Sequence, residues 1–243
     1  MQHIIILFFF TLVCNSASAL EVKILEETHG DGGEVVNHSK VSVHYIGKLE
    51  NNMEFDNSYK RNEYFQFQVG TRKVIPGWET GLLGMKEGGK RKIFIPYDLA
   101  YGDKGAGDLI PPKSNLIFEI ELIKVTPPLY KQIDSYQLKL AISDNNFTIV
   151  DIRNFDEINN TGKIKGSIIL TAFDKDGNFI PDFLMKYQEI INPEKKIIFV
   201  SAKGIVSSIL ANGFSEQLKQ SNIYNLKDGI EGLQKIDFEF EKI

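Results

Sequence analysis

The sequence predicts two domains: an α+β domain whose antiparallel sheet wraps a short helix, then an α/β domain with a parallel sheet. Three observations predict this. The chain has 243 residues, enough for one large domain or two ordinary ones on a prior of roughly 150 residues per domain. Pro127-Pro128 interrupts it where neither residue can donate to a sheet ladder. Across that break the hydrophobic pattern changes from strict alternation to continuous apolar runs.

In the first half the short β-like runs are Val41–Tyr45, Phe65–Val69, Lys90–Ile95 and Leu116–Val125. FQFQV and FEIEL alternate apolar and polar residues, the period of a sheet with one buried face. One helix-like piece, Trp78–Met85, follows Pro76-Gly77. In the second half the apolar runs Phe147–Val150, Ile168–Leu170, Ile197–Val200 and Ile223–Leu226 predict strands covered on both faces. Between them, helices are expected at Asp134–Ala141 (capped by Asp134 or Ser135), Pro181–Ile191, Ile205–Ala211 (stopped by Gly213) and Asp228–Ile236.

Hydrophobic residues make up 42% and charged residues 25%, a globular mix that excludes wholesale disorder, a coiled coil and a multi-span membrane protein. The net charge of -4 lacks the basic footprint of a nucleic-acid binder, so no nucleic-acid partner is expected. The only cysteine is Cys14, and no histidine follows His44. Disulfides within the chain, Cys-rich zinc sites and Cys-His or Ser-His catalysis in the second half are therefore excluded. His29, His38 and His44 lack metal-ligand spacing, and His44, on a strand, is read as structural.

Residues 4–13 form an apolar run of about half the length that spans a bilayer. Ala17-Ser18-Ala19 follows it and fits a signal-peptidase site, although no Lys or Arg precedes the run. The expected division is a signal peptide over 1–19, a first domain over 20–126, a linker over 127–130 and a second domain over 131–243. Export to the periplasm or outside the cell follows, with an uncleaved membrane anchor as the alternative.

Four segments of the first half then fall into a known order: 43–58 (VHYIGKLENNMEFDNS), 65–82 (FQFQVGTRKVIPGWETGL), 95–102 (IPYDLAYG) and 109–125 (LIPPKSNLIFEIELIKV). This resembles an FKBP-type peptidyl-prolyl isomerase domain over nearly all of 20–126. The resemblance implies isomerisation of X–Pro bonds in polypeptides, without metal or cofactor, and sensitivity to macrolide immunosuppressant-type inhibitors. It implies a catalytic set of Tyr45, Phe55, Asp56, Trp78 and Tyr101. Trp78 would floor the pocket. Tyr45, Phe55, Phe65, Val74, Ile75 and Phe118 would form its apolar walls. The Ile75 N–H and the Tyr101 hydroxyl would bond substrate carbonyls, Tyr45 and Arg61 would orient Asp56, and Leu109 and Ile110 would lie on a loop over the cleft. Ala106 departs from the larger side chain of many relatives, which bears on substrate preference. A proline-motif binding protein or a chaperone, without significant turnover, is the alternative reading.

In the second half, Ile149–Arg153, Gly162–Ile168, Ile197–Val200 and Ile223–Ile230 together resemble a rhodanese-like domain over about 129–238. Those enzymes carry sulfur on a cysteine in the loop after the central strand. Here the loop reads Ser201-Ala202-Lys203-Gly204-Ile205-Val206-Ser207. Ser201 stands in the cysteine's place, and a hydroxyl cannot hold a persulfide. The resemblance therefore implies a silent docking domain with a protein partner. Spacing argues against a Ser201–Lys203 catalytic pair, and Asp151 with Arg153 is read as a structural ion pair.

Overall fold

The computed structural model describes residues 21–143 and 146–242. The candidate signal segment, 1–19, lies outside the described residues. Among the described residues no helix is long and apolar enough to cross a membrane.

The first domain contains β1 (Lys23–Thr28), β2 (Lys40–Leu49), β3 (Glu54–Asn57), α1 (Ser58–Arg61), β4 (Phe65–Gln68), α2 (Pro76–Gly81), β5 (Lys90–Ile95) and β6 (Leu116–Thr126). The strands pair antiparallel in the order β1-β5-β6-β2-β3, with β4 also on β2. Burial alternates along β2, β5 and β6 as far as Leu122 and gives the sheet one buried face, as the period-two pattern predicts. That face carries Val43, Tyr45, Ile93, Ile95, Phe118 and Ile120 and closes over α2. Pro76 occupies the first turn of α2, where its missing N–H removes no helix bond. A Cβ on Gly77 would lie 2.3 Å from Ile95 Cγ2, so only glycine lets the helix approach the sheet this closely.

Helix α2 is shorter than the sequence predicts. It starts at Pro76 and ends at Gly81, and residues 82–84 form a turn, with Gly84 at φ 76°. The apolar residues there pack on the sheet without continuing the helix: Leu82 and Met85 are buried.

The second domain contains β7 (Lys131–Ile133), α3 (Ser135–Ala141), β8 (Phe147–Asp151), α4 (Phe155–Thr161), β9 (Lys163–Ile164), β10 (Ile168–Ile169), α5 (Phe183–Ile190), β11 (Lys196–Val200), α6 (Ile205–Glu216), β12 (Ile223–Leu226), α7 (Gly229–Gln234) and β13 (Phe240–Glu241). Five strands pair in parallel, in the order β10-β8-β11-β12-β7. The apolar strands β8 and β11 sit between two buried clusters, one built around Phe183, Phe199 and Phe214, the other around Leu138, Ile198 and Leu233. Asp134 caps α3 in a reciprocal capping box with Gln137. Asn154 and Glu157 do the same for α4, which the sequence reading missed.

Gly213 does not stop α6. The helix runs on to Glu216 because Phe214 and Ser215 continue the buried face that Leu210 and Ala211 begin. That tertiary packing outweighs a glycine penalty of about 1 kcal/mol.

Tyr130, assigned to the linker from the sequence, is buried in the second domain's core. Its hydroxyl donates to the Asn37 carbonyl of the first domain at 2.7 Å, and its ring meets His38 edge-on. Lys227 pairs with Glu34 at 3.2 Å and Lys40 with Glu216 at 3.9 Å, so polar contacts join the halves beside the two prolines.

Asp151 and Arg153 form the expected ion pair. Arg153 donates to both carboxylate oxygens, at 2.9 and 2.7 Å, and also to Thr161 Oγ1 and the Gly162 carbonyl. The side chains are 0% and 2% exposed. Removing one member leaves the other charge buried and unpaired. Arg153→Ala is therefore expected to lower the stability of the second domain by about 3–5 kcal/mol. Denaturant unfolding followed by domain-specific probes measures this, and a loss below about 1 kcal/mol would contradict the pair's role.

Candidate active site

The buried face of the first sheet ends in a hollow of about 360 Å³ over Trp78. Its lining comprises Tyr45 from β2, Phe55 and Asp56 from β3, Phe65 from β4, Val74, Ile75 and Trp78 at the start of α2, Tyr101 from the loop after β5, and Phe118 from β6. Trp78 is 3% exposed. Its indole meets Tyr45 and Phe118 edge-on, both at 5.1 Å between ring centres, and Phe65 at 5.7 Å. These T-shaped contacts suit the ring quadrupoles and fix the floor in one orientation. Phe55 and Phe118 also meet edge-on, at 5.7 Å. They close over Gly47, where a Cβ would come within 2.9 Å of both rings.

Polar groups occupy one side. The Tyr45 hydroxyl and the Arg61 guanidinium both donate to Asp56, and Arg61 reaches the Tyr45 oxygen at 3.2 Å. The Asn57 backbone N–H adds a third bond to the same carboxylate, at 2.7 Å. Burial works against charge on Asp56, but the bonds from Tyr45, Arg61 and Asn57 prevail and hold its carboxyl below the usual range. Burial, reinforced by the bond to Asp56, pushes the Tyr45 hydroxyl up to about 12. Tyr101 stands across the hollow, 41% exposed. Burial of its ring, then the Asp56 charge, raises its hydroxyl's pKa. Ile75 is the N-cap of α2, and its N–H finds no acceptor among the described residues.

The structure therefore gathers Tyr45, Phe55, Asp56, Phe65, Val74, Ile75, Trp78, Tyr101 and Phe118 around one cavity. Arg61 stands where it is expected, bonded to Asp56, whereas Leu109 and Ile110 are not among the residues that line the cavity. Ile110 turns into the core at 7% exposure and Leu109 points to solvent, because mutual backbone hydrogen bonds between Ala106 and Ile110 close their loop on itself. Arg72 and Lys73, which the sequence did not single out, line the rim. His44 is structural: its Nδ1 lies 2.9 Å from Ser58 Oγ and its ring stacks on Tyr59.

The second candidate position is Ser201, on the loop after β11. It is 4% exposed. Its Oγ lies 2.9 Å from Ser207 Oγ and accepts the Ser207 N–H at 3.2 Å. Lys203 pairs instead with Glu231, at 3.7 Å. No Ser-Lys couple forms, and the loop offers no activated nucleophile.

Residues 32–123 match the family of FKBP-type peptidyl-prolyl cis-trans isomerases, and residues 134–236 match the rhodanese-like domain. An FK506-binding protein of Neisseria meningitidis is 48% identical over 107 residues, 44% of this chain and 96% of that protein. A peptidyl-prolyl cis-trans isomerase of Saccharomyces cerevisiae is 39% identical over 126 residues, 51% of this chain and 93% of the other. A human peptidyl-prolyl cis-trans isomerase is 53% identical over 83 residues, 34% of this chain and 58% of the other. With a relative matched over almost its whole length and the hollow in place on the sheet, the chain belongs to the FKBP-type peptidyl-prolyl cis-trans isomerase family and carries a rhodanese-like domain after its isomerase domain.

Proposed function

We infer that the protein is a peptidyl-prolyl cis-trans isomerase acting on proline-containing polypeptides. The observation that carries this is the ring-lined hollow over Trp78, flanked by the bonded Asp56 and by Tyr101, in a domain of this family.

The X–Pro amide rotates over a barrier of roughly 18–20 kcal/mol because it is conjugated. Twisting it removes that conjugation and makes the unit less dipolar. An apolar cavity therefore penalises the planar amide more than the twisted one, and that difference lowers the barrier. No bond is made or broken, so the step needs no nucleophile, metal or cofactor. In this reading the proline ring rests on Trp78, between Tyr45, Phe55 and Phe118. The Ile75 N–H and the Tyr101 hydroxyl hold carbonyls on either side of the rotating bond. Asp56, fixed by Tyr45 and Arg61, keeps the polar wall in place. The same hollow would accept macrolide immunosuppressant-type inhibitors.

The reading extends to the whole chain. Residues 1–19 act as a secretory signal, so the substrates are exported polypeptides. The rhodanese-like domain is a docking module without sulfur transfer, since its loop presents Ser201 where a thiolate is required.

A protease-coupled assay on a proline tetrapeptide is expected to show acceleration. Tyr101→Phe should lower kcat/KM about fivefold, the worth of one neutral hydrogen bond. Asp56→Ala should lower it about tenfold or more, since bonds to a charged group are stronger. No acceleration by the wild type would leave a proline-binding protein instead. The pH profile is a second test. A depressed folded-state pKa keeps the Asp56 network complete above the ordinary carboxylate range, and it is lost only as pH falls through the lowered value. With Tyr45 raised to about 12, kcat/KM should stay flat from about pH 5.5 to 9. An inflection inside that window that disappears in Asp56→Asn would contradict this assignment. Thiosulfate:cyanide transfer by the full chain would overturn the reading of Ser201.

A further inference from the structure

Arg72 lines two cavities. It stands on the rim of the isomerase hollow, in the left-handed region at φ 57°. It also borders a separate space of about 490 Å³ over the loop that carries Ser201. The apolar walls of that space come from Ile152, Phe173, Ala202, Ile205, Val206 and Ile209. Ile205, Val206 and Ile209 belong to the outer face of α6 and are 53%, 42% and 47% exposed. The opposite face of the same helix already fills the core. A contiguous apolar patch of this kind marks a contact surface, unlike single exposed residues.

The polar groups of the floor are already engaged. Ser201 Oγ is bonded to Ser207. Arg153 is committed to Asp151, Thr161 and Gly162, and Lys203 pairs with Glu231. A small anion entering here meets neither a thiolate nor a free buried cation. An apolar side chain meets walls that fit it. Arg72, by contrast, is exposed and makes no ion pair among the described residues. Its guanidinium offers donors to a peptide backbone at the junction of the two spaces.

We propose that the cavity over the Ser201 loop is a second subsite for the polypeptide whose proline occupies the hollow. Apolar side chains flanking the proline insert between Phe173 and the Ile205–Ile209 face of α6. The backbone crosses the junction while bonded to Arg72. Arg72, which borders both spaces, selects this occupant. The inference rests on the isomerase reading and gives the docking domain its ligand: an unfolded chain with apolar residues near a proline.

The test uses the full protein and its I205E/I209E variant, whose changed side chains are exposed. On a proline tetrapeptide the two should have equal kcat/KM. On an unfolded protein whose refolding is limited by proline isomerisation, the variant's kcat/KM should fall about tenfold through a higher KM, the worth of burying one such side chain. Equal rates on both substrates would overturn the proposal. A wild type inert on the tetrapeptide would refute the isomerase reading instead. Photocrosslinking to the wild type removes any dependence on the variant's folding. A peptide of about fifteen residues, long enough to leave the hollow when extended, carries a central proline and a benzophenone among its apolar flanking residues. Crosslinks should fall within 201–209 and at Phe173. Crosslinks confined to residues 21–126 would overturn the proposal.

Discussion

The edge-on packing of one indole against two rings on neighbouring strands is the constraint on which the first domain turns. Trp78 can lie beneath Tyr45 and Phe118 only because α2 comes close to the sheet, and that approach depends on Gly77 against Ile95. Pro76 starts the helix at the point that turns the Trp78 side chain into the hollow. β2 and β6 are adjacent and antiparallel, with Tyr45 opposite Ile120 and Phe118 opposite Gly47. A slip of one residue in that pairing would turn both rings to the outer face and remove the cavity. Register, helix start and close approach are thus one requirement, that the indole have walls.

The polar side of the hollow obeys a different logic. A carboxylate beside an apolar cavity is destabilised unless its oxygens are bonded. Asp56 is bonded by Tyr45, Arg61 and the Asn57 N–H, so it keeps its charge without presenting a free base. Tyr101 lines the same hollow, 41% exposed and outside that network. The arrangement separates a rigid, saturated wall from a group able to bond a ligand. That separation suits a reaction in which geometry changes and no proton moves.

Much of this was legible in the residues. Alternation in FQFQV and FEIEL placed the sheet and its buried face, and the ordered motifs placed nine of the residues that line the cavity, six of them aromatic. The continuous runs FTIV and IIFV placed the parallel strands. What escaped depended on contacts distant in sequence. Gly213 reads as a helix stop until Phe214 is seen buried beyond it. Leu82–Met85 read as helix because apolar residues at that spacing serve a turn equally well. Ile110 reads as a lid residue until the backbone bonds to Ala106 are seen to close the loop. Arg72 carries no local signal, because its position matters only once the second domain stands beside it. The β1 strand, exposed along its length, gave no hydrophobic pattern to find.

The hydroxyl at position 201 is one instance of a wider feature of the chain. Among the described residues there is no cysteine. Chains that are still folding often expose reactive thiols and half-formed bridges, and any sulfhydryl on a protein handling them invites a covalent mixed adduct. A polypeptide held in the hollow meets no thiol between residues 21 and 243 with which a mixed disulfide could form.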